Sequence, residues 1–103
     1  MSEVTVHIKQ QVISCTPQGG NLKAKAAGDK IRWSSPDAPF TLVFSDFVSG
    51  KKLWPFPESP EPPWPTRDTG TLNFRQLEPN QHYKYTVQSA GLHDLDPIIV
   101  VDN

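Results

Sequence analysis

Few side chains in this sequence are equipped to do chemistry. Cys15 is the only cysteine, and His7, His82 and His93 are the only imidazoles. A metal centre needs several such donors converging, yet no two of the histidines have ligand-like local spacing, and all sit among polar or charged neighbours. They read as solvated surface histidines. Cys15 reads as a small buried hydrophobe, the usual state of a lone cysteine in a small domain. His93, Asp94 and Asp96 would suit proton transfer, but catalysis also requires a positioned nucleophile or a substrate pocket, and no motif supplies one. The sequence therefore predicts no catalytic residue, no cofactor and no resident metal, hence no enzyme.

The most informative segment is Leu53 to Pro65, which holds six of the eleven prolines and two of the three tryptophans. Proline has no amide hydrogen to give to a ladder, so this stretch is no central strand. It favours extended polyproline conformation, which is stiff before binding and loses little entropy on capture by an aromatic-lined groove. Trp54, Phe56 and Trp64 are candidate partner-binding anchors, because interface energy concentrates in aromatics, and Arg67 follows them. Two readings stay open: the loop is a recognition surface, or it folds back as a lid that buries the same rings. PxxP matches at Pro57–Pro60 and Pro60–Pro63 are flanked by Glu58 and Glu61 and are frequent by chance. Exposed tryptophans beside Arg67 and Asp68 would also suit stacking on a sugar, so a small-ligand or carbohydrate binder is the alternative.

The elements that must position these residues are strands. At 103 residues the chain has the size of one domain, residues 1–103, with one modest core. Period-2 alternation runs through Val4, Val6 and Ile8, then Val12 and Ile13, then Leu22, Ala24 and Ala26. It continues through Ile31 and Trp33, Leu42 and Phe44, Leu72 and Phe74, and Tyr83, Tyr85 and Val87. Gly28-Asp29 predicts a hairpin turn between Leu22–Ala26 and Lys30–Ser34. The stretch from Val48 to Leu53 has room for a helical turn, and Ile98 to Val101 reads as a strand buried on both faces. Trp33, Phe44, Phe74, Tyr83 and Tyr85 are assigned to the core. Seven or eight short strands predict an all-β Greek-key sandwich with a Pro/Trp-rich loop insertion at residues 48–68.

Ten basic and eleven acidic residues leave a net charge of −1, with no basic patch for nucleic acid or an anionic membrane. No run approaches a membrane span. The N-terminus lacks secretory-signal features, which predicts a cytoplasmic protein, or a periplasmic one if a leader was removed. Open sheet edges make homo-oligomerisation a further expectation, with Lys23, Lys25 and Lys84 placed to discourage edge pairing.

The segments Ala26-Ala27-Gly28-Asp29-Lys30-Ile31-Arg32-Trp33 and Asp37-Ala38-Pro39-Phe40-Thr41-Leu42-Val43-Phe44 resemble the cupredoxin family. So does Pro79 to Val101, in which Tyr83-Lys84-Tyr85-Thr86-Val87 stands where a Tyr-x-Tyr-x-Cys run is expected. The resemblance covers most of the chain except the Pro-rich segment. It implies a blue-copper site built from two histidines, a cysteine and usually a methionine. Phe40 then occupies the place of the first histidine and Val87 that of the cysteine, while Gln88 to Leu95 offers His93 at an unfavourable spacing and no methionine. The implied protein is a copper-free cupredoxin-like module that binds an unknown protein partner through the Pro/Trp-rich loop at the metal-site end of the sandwich. A cryptic metal carrier is a third reading.

Overall fold

The computed structural model describes residues 2–102. Eight strands form two four-stranded sheets. They are β1 (Ser2–Lys9), β2 (Val12–Thr16), β3 (Leu22–Lys25), β4 (Ala27–Ser34), β5 (Thr41–Asp46), β6 (Leu72–Arg75), β7 (Tyr83–Gln88) and β8 (Ile98–Asp102). The first sheet runs β2-β1-β4-β6 and the second β3-β8-β7-β5. The all-β sandwich read from the alternation is the fold observed, and no α-helix occurs among the described residues.

β1 and β2 form a hairpin around Gln10 and Gln11, whose φ values of 53° and 64° give the left-handed pair of a two-residue turn. β1 also pairs in parallel with β4, and β3 with β8. These parallel pairings overturn the hairpin expected at Gly28-Asp29. β3 and β4 lie in different sheets, and the chain changes sheet at Ala26 between them. Gly28 and Asp29 sit in a bulge within β4, where Gly28 has φ 89° and the Asp29 carboxylate accepts the Lys25 N–H at 2.7 Å. A Gly-Asp pair satisfies a bulge as well as a turn, so local sequence did not separate the two.

Of two other expectations, one is met in part and one is corrected. A single helical turn closes at the start of the stretch from Val48 to Leu53, where the Gly50 N–H donates to the Asp46 carbonyl at 2.9 Å and the Asp46 carboxylate accepts from the N–H groups of Val48 and Ser49. No helix continues from it among the described residues, where a short 3-10 turn lies at Gln18–Gly20. In β8 only Ile99 and Val101 are buried, while Ile98 and Val100 face outward and are partly exposed, because β8 lies in a sheet covered on one face.

The two inner faces meet through rings. Trp33 of the first sheet packs edge-on against Phe44 and Tyr85 of the second at centroid distances of 5.6 and 5.3 Å, and Phe74 packs against Tyr83 at 5.5 Å. All five are buried, as assigned from sequence. Edge-to-face geometry sets the positive ring edge on the negative face and adds to the burial term. Cys15 is buried among them, and desolvation pushes its thiol up to about 11. In the folded protein it should resist an aromatic disulfide reagent at about pH 8, with labelling at least tenfold slower than in denaturant, because the thiolate is scarce and inaccessible.

Candidate functional site

Residues 47–71 connect β5 to β6, the edge strands of opposite sheets on one side of the sandwich. The connection crosses that side as a strap bonded to both edges. On β5, Leu53 donates to the Phe44 carbonyl at 3.0 Å and Asp46 donates to Lys51, and just before β5 Phe40 and Thr66 exchange two bonds at 2.8 and 2.9 Å. On β6, Arg75 donates to the Pro55 carbonyl at 3.0 Å and Asn73 to the Ser59 hydroxyl at 3.1 Å. Further on, Thr69 donates to Trp33 and Ser35 to Arg67, which fastens the strap's end beside β4. A proline-rich chain suits this position, since it accepts through carbonyls and needs few donors. The segment therefore lies along a side of the sandwich, and its downstream end returns to the start of β5, where Thr66 pairs with Phe40.

The four candidate anchors are split by this geometry. Phe56 is fully buried, with ring contacts to Trp33, Phe44, Trp54 and Phe74 at 5.8, 5.2, 5.0 and 6.0 Å, so it is a core residue contributed by the strap. Trp54 is half-buried, packs on Phe44 at 5.6 Å and donates its indole N–H to the Ser59 carbonyl at 2.9 Å. Trp64 is half-buried and donates to Glu61 Oε1 at 3.0 Å. Arg67 is exposed, with Nη2 donating to the Asp37 carbonyl at 3.4 Å. The first two residues pin the strap to the core, and the last two stand at its downstream end.

That end abuts an open groove of about 770 Å³ whose walls include Ile8, Ala38, Pro39, Pro65 and Leu92. The walls are held by polar bonds. The Ser35 hydroxyl accepts from the N–H groups of Asp37 and Ala38, Asp37 Oδ2 accepts from Ile8 N–H at 3.0 Å, and the Ser89 hydroxyl donates to the Pro39 carbonyl at 3.2 Å. Leu92 N–H donates to Ser89 and closes the turn after β7. Phe40 and Val87, chain neighbours of the lining residues Pro39, Thr41 and Gln88, are fully buried in the core. The groove residues escaped sequence reading because they come from four separate segments, none with a local motif; the only hint was the Ser-x-Asp pattern at Ser35 and Asp37, typical of a fixed turn.

The histidines do not converge on a shared site. His7 Nε2 bonds the Thr16 hydroxyl at 2.9 Å on the outer face of β1, His82 Nδ1 accepts the Val101 N–H at 2.9 Å, and His93 is exposed in the turn after β7. No group of three or more His, Cys, Asp or Glu side chains is placed to hold a metal ion among the described residues. Burial raises the Tyr85 phenol far above its ordinary range, and its hydroxyl donates to the Gly20 carbonyl.

Two carboxylates carry the electrostatic signature of the surface. The Arg32 side chain, bonded to Asp68, holds that carboxyl below its usual 3.8, and a bond from Gln81 at 3.0 Å does the same for Asp46, aided by the Val48 N–H. A carboxyl depressed in the folded state contributes stability that is complete above its unfolded value and is lost as pH falls through the folded one. The urea midpoint should therefore drop between about pH 5 and pH 2, and an Asp46→Asn/Asp68→Asn variant should show a smaller drop. No protein-family model matches the chain, and no curated protein matches it.

Proposed function

We propose that this chain is a copper-free, non-catalytic cupredoxin-like module that binds another protein at the end groove flanked by Trp64 and Arg67. The observation that carries this reading is a groove with hydrogen-bonded walls, lined by Pro39, Thr41 and Gln88, the chain neighbours of the buried Phe40 and Val87. If the resemblance holds, these are the positions of the first histidine and the cysteine of a copper site, and both are filled by buried apolar side chains. Neither offers a donor atom, so the residues present do not fit copper. The parallel pairings of β1 with β4 and β3 with β8 are compatible with a Greek-key connection of this type.

Protein binding follows from how the site is built. Apolar walls held by backbone and hydroxyl bonds are preorganised, which reduces the ordering cost of association. Trp64 and Arg67 belong to the residue types on which binding energy concentrates. A small ligand is the second reading, because the volume suits one and Gln11, Thr41, Gln88 and Ser89 supply polar groups. Against a sugar, no aromatic ring is among the groove's lining residues.

An affinity capture from the source organism's lysate compares the parent with Trp64→Ala/Arg67→Ala and with Ala38→Arg, each checked for folding by circular dichroism. A protein captured by the parent and lost by both folded variants is the expected result. Capture of the same set by all three overturns the reading. A hit on a glycan array that disappears in Ala38→Arg would favour the small-ligand alternative, and submicromolar copper binding that depends on His93 or Cys15 would overturn the copper-free assignment.

A further inference from the structure

We infer that β2 is a strand-addition edge through which two copies of this chain pair antiparallel and join their first sheets into one eight-stranded sheet.

The sandwich has four edge strands, β2, β6, β3 and β5, and three of them are guarded. β5 and β6 are bonded to the strap. β3 has its Lys25 N–H capped by the Asp29 carboxylate and carries the exposed Lys23 and Lys25. Those two lysines sit where the sequence reading placed them, whereas Lys84 lies on β7 inside its sheet, 3.9 Å from Asp96. β2, Val-Ile-Ser-Cys-Thr, has no charge and no proline, and among the described residues no segment is hydrogen-bonded to its outer edge. Natural proteins blunt their edges, so a bare one is a surface kept open for pairing.

The register fixes which groups are available. The two-residue turn makes Lys9 and Val12 a bonded pair, and bonded pairs alternate along an antiparallel ladder. His7–Ser14 and Thr5–Thr16 are then bonded pairs, which leaves the backbone N–H and C=O groups of Ile13 and Cys15 pointing away from β1. No hydrogen bond among the described residues engages them.

A two-fold axis through Ser14 sets Ile13 of one copy opposite Cys15 of the other, and all four pairs of outward groups close. On the outer face Ser14 meets Ser14, and the exposed Val12 meets Thr16. No charged residue of β2 then faces its own copy, the condition under which a strand is self-complementary. Pro17, with no N–H, ends the ladder. Five residues bury little area, so the association is weak and concentration-dependent.

Sedimentation velocity of the parent from about 10 µM to 1 mM should show a monomer–dimer equilibrium. Ser14→Lys and Ser14→Asp change an exposed side chain, and each alone should remain monomeric because like charges oppose across the axis. Their equimolar mixture should regain the dimer. Ser14→Cys gives a second readout: opposed non-bonded residues lie about 4.5 Å apart at Cα, within disulfide reach, so mild oxidation should cross-link that variant while the parent's Cys15 stays reduced. A parent monomeric at 1 mM, or a dimer that persists in Ser14→Lys, overturns the assignment.

Discussion

Phe56→Ala lowers the stability of this domain by about 3–5 kcal/mol, the usual cost of deleting a fully buried ring, and the urea midpoint falls accordingly. Phe56 comes from the strap, yet it is fully buried, and its ring touches side chains of both sheets and of the strap itself. Its removal leaves a cavity among Trp33, Phe44 and Phe74, which are fixed by their own strands and cannot collapse into it. With total stability on the order of 5–15 kcal/mol for a domain of this size, the variant is near the limit of folding. Arg67→Ala, on the same connection but exposed, changes the stability by less than about 0.5 kcal/mol. A Phe56→Ala variant as stable as the parent would mean that the strap does not pack as described.

The second large effect lies at Gly20→Ala. Gly20 has φ 90°, and a Cβ there would stand 2.6 Å from the Tyr85 hydroxyl oxygen, 2.9 Å from Pro97 Cγ and 3.1 Å from Cys15 Cβ. None of these neighbours is a free side-chain end, since the Tyr85 hydroxyl is bonded to the Gly20 carbonyl and Pro97 is a ring. Gly28→Ala isolates the backbone term, because Gly28 has φ 89° with nothing within 4 Å of its would-be Cβ. Gly28→Ala should cost about 1 kcal/mol from the left-handed conformation alone. Gly20→Ala should cost at least about 2 kcal/mol more, as overpacking in a closed site does. Chemical denaturation of the two variants side by side checks the difference; equal losses would remove the steric argument.

The sandwich was legible because period-2 alternation is dictated by one-sided burial, and Trp33, Phe44, Tyr83 and Tyr85 obey it. Pairing was less legible. Nothing in Leu22–Lys25 announces that its partner is Ile98–Asp102 near the other end of the chain, because a parallel pair carries no local turn to mark it. The Pro/Trp-rich segment was correctly excluded from the sheets by its missing donors, but proline content says nothing about which rings point inward. Phe56 and Trp64 look alike in sequence; their fates differ because Phe56 lies where the strap crosses the gap between β5 and β6, and Trp64 lies beyond it. The groove was invisible for a related reason, as its walls become neighbours only after both sheets form.

The strap is bonded to strands of opposite sheets; its bonds to β5 are local in sequence, but the seating of Phe56 against Phe44 of one sheet and Trp33 and Phe74 of the other is complete only once the sandwich has closed. Interactions that form after the folding barrier change the unfolding rate and leave the folding rate nearly untouched. The aromatic strap thus acts as a latch that sets how long a molecule stays folded: loosening Phe56 shortens the native lifetime, and a protease that samples brief openings meets residues 47–71 before it meets the strands beneath.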